Sequence, residues 1–409
     1  MPALIFRKGL DLKHEVAGVL SQSYHSALVN QIKAEDYRLD AGRLTIHLAR
    51  EFGFCYGVDR AVDYAYQARL RFPAQRVFLT GEIIHNPHVN EQLRGQGIRF
   101  LSDASERDTT LSPADVVILP AFGVTIDELQ RFDRTGCTLV DTTCGSVLNV
   151  WKNVKRYALE GLTSIIHGKH WHEETQATAS QAVAVNGGHY LVVLDRAEAE
   201  LVCAYIRGAG ERAAFLDRFR ASSSVGFDPD VHLQRVGCAN QTTMLSSESL
   251  AIGELVRDAM RARYGEADLA ERFRSFDTIC SATQDRQDAV LRLLDERRLD
   301  LMIVVGGYNS SNTCNLARLC AERVPTYHIS TPENLISARE IRHRDIRSKV
   351  EHTSTGWLPD SGPLALGITS GASTPDNLVE QAIRALDALA HPGRPAIPPP
   401  SPAVTRPMS

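Results

Sequence analysis

Three short stretches decide how this chain is read: Phe54-Cys55-Tyr56-Gly57, Thr143-Cys144-Gly145-Ser146 and Ile279-Cys280-Ser281-Ala282. Each cysteine follows an apolar, strand-like run or a short turn and precedes a helix-like pattern, at 58–70, 147–159 and 285–294. A thiol at the start of a helix faces unpaired N–H groups and the positive end of the helix dipole. Both favour the thiolate, the form that binds metal. Three thiolates from three separated stretches imply one shared metal centre with a position left over. The competing reading is three buried structural cysteines, and their common placement at helix starts argues against it. Cys137, Cys203, Cys238, Cys314 and Cys320 lack that context and read as packing residues.

Outward from the cysteines, the pattern is strand, polar loop, helix. Thr45-Ile46-His47-Leu48 alternates like a strand. Arg76-Val77-Phe78-Leu79-Thr80 runs into Gly81-Glu82-Ile83-Ile84-His85-Asn86-Pro87, and Val116-Val117-Ile118-Leu119 ends at Pro120-Ala121-Phe122-Gly123. The order returns with Thr138-Leu139-Val140-Asp141 before Cys144, then Thr163-Ser164-Ile165-Ile166 entering His167-Gly168-Lys169-His170-Trp171-His172-Glu173-Glu174. After a strand at 190–194, a less regular stretch at about 196–232 reads as an insertion, and a strand from 234 reaches Asn240-Gln241-Thr242-Thr243. The third pass has Cys280, a helix, a strand at 301–305 and the loop Gly306-Gly307-Tyr308-Asn309-Ser310-Ser311-Asn312, then a last strand at 364–368 meeting Thr369-Ser370-Gly371-Ala372-Ser373-Thr374-Pro375.

The recurrence is quantitative: 30 residues separate Cys55 from His85, 28 separate Cys144 from His172, and 30 separate Cys280 from Ser310. An α/β fold of three similar units is expected, at 44–136, 137–275 and 276–390. An N-terminal extension at 1–43, helical in part, precedes them, and a proline-rich tail at 391–409, expected to be disordered, follows. In open α/β sheets ligands gather beyond the carboxyl ends of the strands, where every polar loop quoted above lies.

The 409 residues suffice for two or three α/β units. A net charge of −4 without a polybasic run gives no support to a nucleic-acid or anionic-membrane role. The apolar runs fall short of the roughly 20 residues of a membrane span, and charges at Arg7, Lys8, Asp11 and Lys13 leave no secretory signal. Eight cysteines without close pairing point to a reducing cytoplasm.

Tetrahedral zinc wants a fourth ligand and usually shows close Cys pairs, which are missing here. A cubane iron–sulfur cluster also takes thiolates, and three would leave one iron open to substrate. His85 and His172 can bind an anionic oxygen or pass a proton, and Glu174 in a confined site can deliver one. A hydrogen-bonded structural histidine is the alternative for His85. Ser310-Ser311-Asn312 and Ser373-Thr374 each precede a helix, where they either cap it or bind a phosphate through the same N–H groups. No G-x-x-x-x-G-K-[ST] or strand-to-helix G-x-G-x-x-G occurs, so ATP and nicotinamide lack a motif. The combination reads as reductive chemistry on a small phosphorylated substrate.

Together these motifs resemble the 4-hydroxy-3-methylbut-2-enyl diphosphate reductases, the LytB/IspH family, in the long form of cyanobacteria and plastids. The matching pieces are Gly53-Phe54-Cys55-Tyr56-Gly57-Val58-Asp59-Arg60, Glu82-Ile83-Ile84-His85-Asn86, Asp141-Thr142-Thr143-Cys144, His172-Glu173-Glu174, Gln241-Thr242-Thr243, Cys280-Ser281-Ala282-Thr283-Gln284-Asp285-Arg286-Gln287, Asn309-Ser310-Ser311-Asn312 and Gly371-Ala372-Ser373. They follow the family's order across about 44–390.

The resemblance implies a pseudo-threefold trefoil of α/β units around one [4Fe-4S] cluster held by Cys55, Cys144 and Cys280, with one iron open to the substrate hydroxyl. It implies that His85, His172, Ser310, Ser311, Asn312 and Ser373 grip a diphosphate, that Glu174 delivers protons and that Thr242 orients the hydroxyl. It also implies formation of isopentenyl and dimethylallyl diphosphate with electrons from ferredoxin or flavodoxin in a bacterial cytoplasm. Three departures stand out. Phe122 occupies the place of a histidine found in short members, with Lys169 or His170 as candidates for the missing charge. His172-Glu173-Glu174 replaces His-Pro-Glu, so Glu173 competes with Glu174 although register favours Glu174. Gly145 follows Cys144 where proline is usual. A zinc hydrolase and a non-catalytic iron–sulfur sensor are the readings from other classes.

Overall fold

Short runs rich in β-branched residues become strands buried on both faces, the pattern of a parallel sheet flanked by helices. Val116–Leu119, Thr163–His167 and Leu301–Val305 contain only buried residues. The computed structural model, which describes residues 4–106, 108–276 and 278–394, gathers the strands into three sheets. Residues 395–409 of the expected disordered tail lie outside the described residues.

Each sheet has the same core of four parallel strands. In the first, Arg99–Phe100, Val77–Leu79, Val116–Leu119 and Thr138–Asp141 lie side by side. In the second the order is Tyr190–Val193, Thr163–His167, Val236–Asn240, Phe273–Ser275. In the third it is Thr326–Ile329, Leu301–Val305, Leu364–Ser370, Leu44–Leu48. Numbered along each repeat, the spatial order is 2-1-3-4 every time, and the third repeat takes its fourth strand from near the beginning of the chain. Such a sheet has its switch point between strands one and three, where helices leave on opposite faces and a ligand-binding crevice opens.

Strand pairing moves the boundaries read from sequence at 44 and 137. Leu44–Leu48 joins the third sheet and Thr138–Asp141 the first, so each cysteine closes a sheet instead of opening one. The reason is physical: sequence groups a strand with the helix that follows it, whereas pairing partners such as Leu44 and Leu364 lie most of the chain apart. By contacts the described chain forms two compact units. One comprises 4–12, 57–84 and 90–284 and holds the first two sheets; the other comprises 13–56, 85–89 and 285–394 and holds the third.

Within the third sheet, alternation sorts the core into two faces. Leu301, Ile303 and Val305 pack with Leu378, Ile383 and Leu386 of the helix Asp376–Ala390 and with Leu28 and Ile32 of Ala27–Ala34. Met302 and Val304 pack with Val290, Leu293, Leu316 and Ala317 of the helices Ser281–Glu296 and Ser311–Ala321. The second sheet is likewise covered by Ser246–Tyr264 and Arg196–Ile206 on one side, and by Gly145–Leu159 and Glu173–Val183 on the other.

The stretch at 196–232, expected to be irregular, is helical at Arg196–Ile206, Arg212–Arg218 and Pro229–His232. Its apolar residues Ala199, Val202, Cys203 and Ile206 follow helical spacing. Gly208 and Gly210, both at positive φ, cut the pattern into pieces too short to recognise. Phe215, Phe219 and Phe227 from this stretch close the core of the second sheet.

Candidate active site

All three cysteines follow a fourth strand, and the same backbone bond fixes each. The Cys144 N–H donates to the Ala121 carbonyl at 2.8 Å, the Cys55 N–H to Ala372 at 3.1 Å and the Cys280 N–H to Thr242 at 3.3 Å. Each acceptor lies two residues beyond the end of a third strand, after Leu119, Ser370 or Asn240. Two of the cysteine turns are also buttressed by arginine. Arg60 donates to the Thr142 and Thr143 carbonyls at 3.2 and 2.5 Å, and Arg286 to the Gly53 carbonyl at 2.8 Å. Each guanidinium comes from the helix after another cysteine, so the loop before the thiol is held by charge-assisted bonds.

The thiols divide by environment. Burial raises the Cys137 thiol, pushes Cys203 up to about 11 and Cys320 up to about 12, and raises Cys238 further. Those four stay protonated and make poor ligands. Cys314 donates to the Tyr308 carbonyl at 3.3 Å. Cys55, Cys144 and Cys280 are half-buried. Cys144 is the N-cap of Gly145–Leu159 yet makes no capping bond with its side chain. The Thr283 N–H donates to Cys280 Sγ at 3.3 Å, and the Thr283 hydroxyl lies 3.0 Å from the same sulfur. Partial exposure and a helix-start position, with an N–H donor at Cys280, let these three fit the donor set of an iron–sulfur cluster.

In the second repeat, His172 is the N-cap of Glu173–Val183 and its Nδ1 accepts the Glu174 N–H at 3.1 Å. An Nδ1 that accepts a backbone bond places the ring proton on Nε2. Glu174 is 3% exposed, and its Oε1 accepts the Thr242 N–H at 2.6 Å. Glu173 faces outward with its side chain 57% exposed. Of the two neighbouring carboxylates, Glu174 is thus the buried one and Glu173 the exposed one. A chain of bonds thus runs from Glu174 through Thr242 to Cys280. Gln241 braces it, accepting from the Lys169 N–H and the Thr175 hydroxyl, both at 3.2 Å. Phe122 is buried with its ring edge toward His172, centroids 6.3 Å apart. His170 packs edge-on to Trp171.

In the third repeat, Ser310 is the N-cap of Ser311–Ala321, its Oγ accepting the Thr313 N–H. Asn312 Oδ1 accepts the Ala372 N–H at 2.9 Å. The Ser373 hydroxyl donates to the His85 carbonyl at 3.3 Å and lies 3.5 Å from Ser310 Oγ. Asn309 Nδ2 lies 3.4 Å from His85 Nδ1. Gly307 is required here, since a Cβ would come within 2.5 Å of the His85 carbonyl. Ser310, Asn312, Ser373 and His85 therefore share one loop cluster at a helix N-terminus, with Ser311 buried as the first helical residue.

Capping holds for Ser310 but not for Ser373 or Thr374, because Pro375 is the N-cap of Asp376–Ala390. The matched spacings also need one adjustment. His172 and Ser310 are caps, whereas in the first repeat Asn86 takes that part, its Oδ1 accepting the Val89 N–H at 3.2 Å. His85 precedes it. Sequence reasoning missed Ala121 and Ala372, which act through backbone atoms that leave no side-chain signal. It quoted Arg60 and Arg286 without giving them work, although their recurrence five and six residues after a cysteine was the available sign.

The family model described as LytB protein matches residues 46–387. A protein of Gloeobacter violaceus named 4-hydroxy-3-methylbut-2-enyl diphosphate reductase is 50% identical over 385 residues, 92% of this chain and 91% of its own length. A Synechococcus sp. (strain RCC307) protein of the same name is 48% identical over 391 residues, 95% of this chain and 94% of its own. A solved structure of (E)-4-hydroxy-3-methyl-but-2-enyl diphosphate reductase, the terminal enzyme of the non-mevalonate pathway, is 28% identical with a TM-score of 0.51, covering 83% of this chain and 98% of that one. The E-1-hydroxy-2-methyl-but-2-enyl-4-diphosphate reductase of Plasmodium falciparum shares the fold at 22% identity and a TM-score of 0.59, covering 85% of this chain and 88% of that one.

Proposed function

This chain belongs to the LytB family, and we propose that it performs the reaction for which its relatives are named: reduction of (E)-4-hydroxy-3-methylbut-2-enyl diphosphate to isopentenyl and dimethylallyl diphosphate. The C–O bond of the allylic alcohol breaks, two electrons and two protons are taken up, and water leaves. The observation that carries the proposal is 50% identity across 92% of the chain together with the intact set Cys55, Cys144, Cys280, His85, His172, Glu174, Thr242, Ser310, Ser311, Asn312 and Ser373.

Cys55, Cys144 and Cys280 would hold a [4Fe-4S] cluster, one per chain, which would relay the two electrons one at a time and offer one iron to substrate. The protein's own work is binding, orientation and proton delivery. His85, His172, Ser310, Ser311, Asn312 and Ser373 hold the diphosphate, with hydroxyl, amide and imidazole donors joined by the N–H groups at the start of Ser311–Ala321. Nε2–H is the donor that His172 offers, because Nδ1 is committed to the Glu174 N–H. Thr242, clamped through its backbone on both sides, orients the substrate hydroxyl. Glu174, buried and held in place by the Thr242 N–H, passes the protons. Electrons come from ferredoxin or flavodoxin, in a cytoplasmic setting. Among the described residues no helix is long and apolar enough to cross a membrane.

The test is anaerobic purification with iron and sulfide analysis, followed by turnover of the hydroxylated allylic diphosphate with dithionite and a viologen. Brown protein that turns the substrate over upholds the proposal. Iron and sulfide without turnover or diphosphate binding would replace it with the sensor. Colourless zinc protein would replace it with a metal hydrolase.

A further inference from the structure

The three repeats solve one problem in parallel: how to hold a cysteine's backbone steady when its side chain is to carry a metal. In each, the residue two past the third strand accepts the cysteine N–H. A carbonyl is only as fixed as the residue bearing it, so the N–H of that residue must also be tied. In the first repeat the Ala121 N–H donates to the Ile83 carbonyl at 3.2 Å, backbone to backbone. In the second the Thr242 N–H donates to Glu174 Oε1 at 2.6 Å, and in the third the Ala372 N–H donates to Asn312 Oδ1 at 2.9 Å. Glu174 and Asn312 occupy the same place, the second residue of the helix after the first strand, in Glu173–Val183 and Ser311–Ala321. They are 3% and 2% exposed.

We infer that Asn312 is a positioning residue for Cys55, acting through Ala372, beyond any part it takes in gripping diphosphate. The inference rests on the reading of Cys55 as a cluster ligand. The chemistry of the amide divides the two tasks between its two atoms. Oδ1 is an acceptor and cannot bind a phosphate oxygen, and it is spent on Ala372. Only the Nδ2 amide can donate to an anion. A variant that keeps the acceptor and loses the amide donor separates the tasks, and Asn312→Asp does so. Asn312→Ala removes both. It leaves the buried Ala372 N–H without its acceptor, a group whose desolvation is then uncompensated.

Wild type, Asn312→Asp and Asn312→Ala, each loaded anaerobically, are compared for the rate at which visible absorbance and acid-labile sulfide disappear in air, for the EPR signal of the reduced protein, and for KM. Asn312→Asp is expected to keep the wild-type rate of cluster loss and the wild-type EPR signal while KM rises. Asn312→Ala is expected to lose its cluster about fivefold faster with an altered signal, the factor that one broken hydrogen bond to a neutral donor represents. If Asn312→Ala retains cluster and signal as wild type does and changes KM alone, the inference is overturned. Should Asn312→Ala fail to fold, Asn312→Asp decides: wild-type cluster retention with raised KM supports the inference, and rapid cluster loss defeats it. Wild-type protein that takes up no iron and sulfide would instead defeat the assignment of Cys55 itself.

Discussion

The second and third repeats are the same structure with different chemistry at one place. In the second the oxygen that pins the cysteine-bracing residue belongs to a carboxylate, Glu174, and in the third to an amide, Asn312. The first repeat manages with the Ile83 carbonyl. Three sheets with the same four-strand core thus show that the bracket needs only an acceptor. What the acceptor can do besides is set by residue type. A carboxylate exchanges protons, an amide holds its peptide at any pH, and a backbone carbonyl does neither side-chain job. The fold supplies the geometry three times, and one residue makes one repeat the acidic one.

Breaking the bracket at its metal end has the largest effect. Cys55→Ser and Cys280→Ser are each expected to abolish the chromophore and the turnover, measured by visible absorbance and iron content after anaerobic loading. Cys238→Ser, a buried thiol that burial holds protonated, is expected to keep both. Loss of colour in Cys238→Ser with its retention in Cys280→Ser would reverse the division of the cysteines.

Glu174→Gln sharpens the comparison directly, because it gives the second repeat the amide that the third already has. Glutamine retains an oxygen for the Thr242 N–H, so cluster content and EPR signal are expected to stay. Turnover is expected to fall about 10²–10⁴-fold, the range for losing a positioned acid. If turnover survives, the proton passes elsewhere, and exposed Glu173 is the next residue to change.

Much of this was legible in sequence, for a reason visible in particular residues. Cys55, Cys144 and Cys280 stood out because a thiol followed by a helix-like pattern occurred three times at matched spacings. His172, Glu174 and Ser310 followed from polar loops at strand ends. Illegible were the pairing partners, because nothing in Leu44–Leu48 says that its neighbour is Leu364–Ser370. Strands of two or three residues, such as Arg99–Phe100 and Phe273–Ser275, carry too little alternation to see. The bracket was invisible at Ala121 and Ala372, whose side chains take no part in it.

A smaller effect separates the repeats by acid. His328, buried in the third sheet, donates from Nε2 to the carbonyl of Gly306 in the loop that leads to Ser310. Burial presses it down to about 4 from 6.5. The folded protein therefore keeps His328 neutral while the unfolded chain takes up a proton below about 6.5. Its stabilising contribution is full above that pH and is lost as pH falls toward 4, to a total of order 3 kcal/mol. Denaturant midpoints between pH 7 and 4.5 are expected to fall less steeply in His328→Gln than in wild type. Parallel slopes would mean that other groups govern acid sensitivity.

The smallest effect tests the contact between Phe122 and His172. Phe122 is held by its neighbour: Gly123, at φ 79°, lies flat on Trp151, where any side chain would collide. The Phe122 ring stands at 73° to the imidazole of His172. Edge-to-face pairs of this kind are worth about 0.5–1.5 kcal/mol beyond the area they bury. Phe122→Leu keeps the apolar volume and removes the pair, so KM for the diphosphate is expected to rise about two- to tenfold while kcat and the cluster spectrum hold. The split matters more than the size. Phe122 meets His172 through its ring, whereas the brace on Cys144 comes from the backbone of Ala121, which the substitution leaves in place. A fall in kcat or a changed spectrum would show that the first repeat's bracket extends into Phe122. An unmoved KM would show that the cap bond from the Glu174 N–H orients His172 unaided.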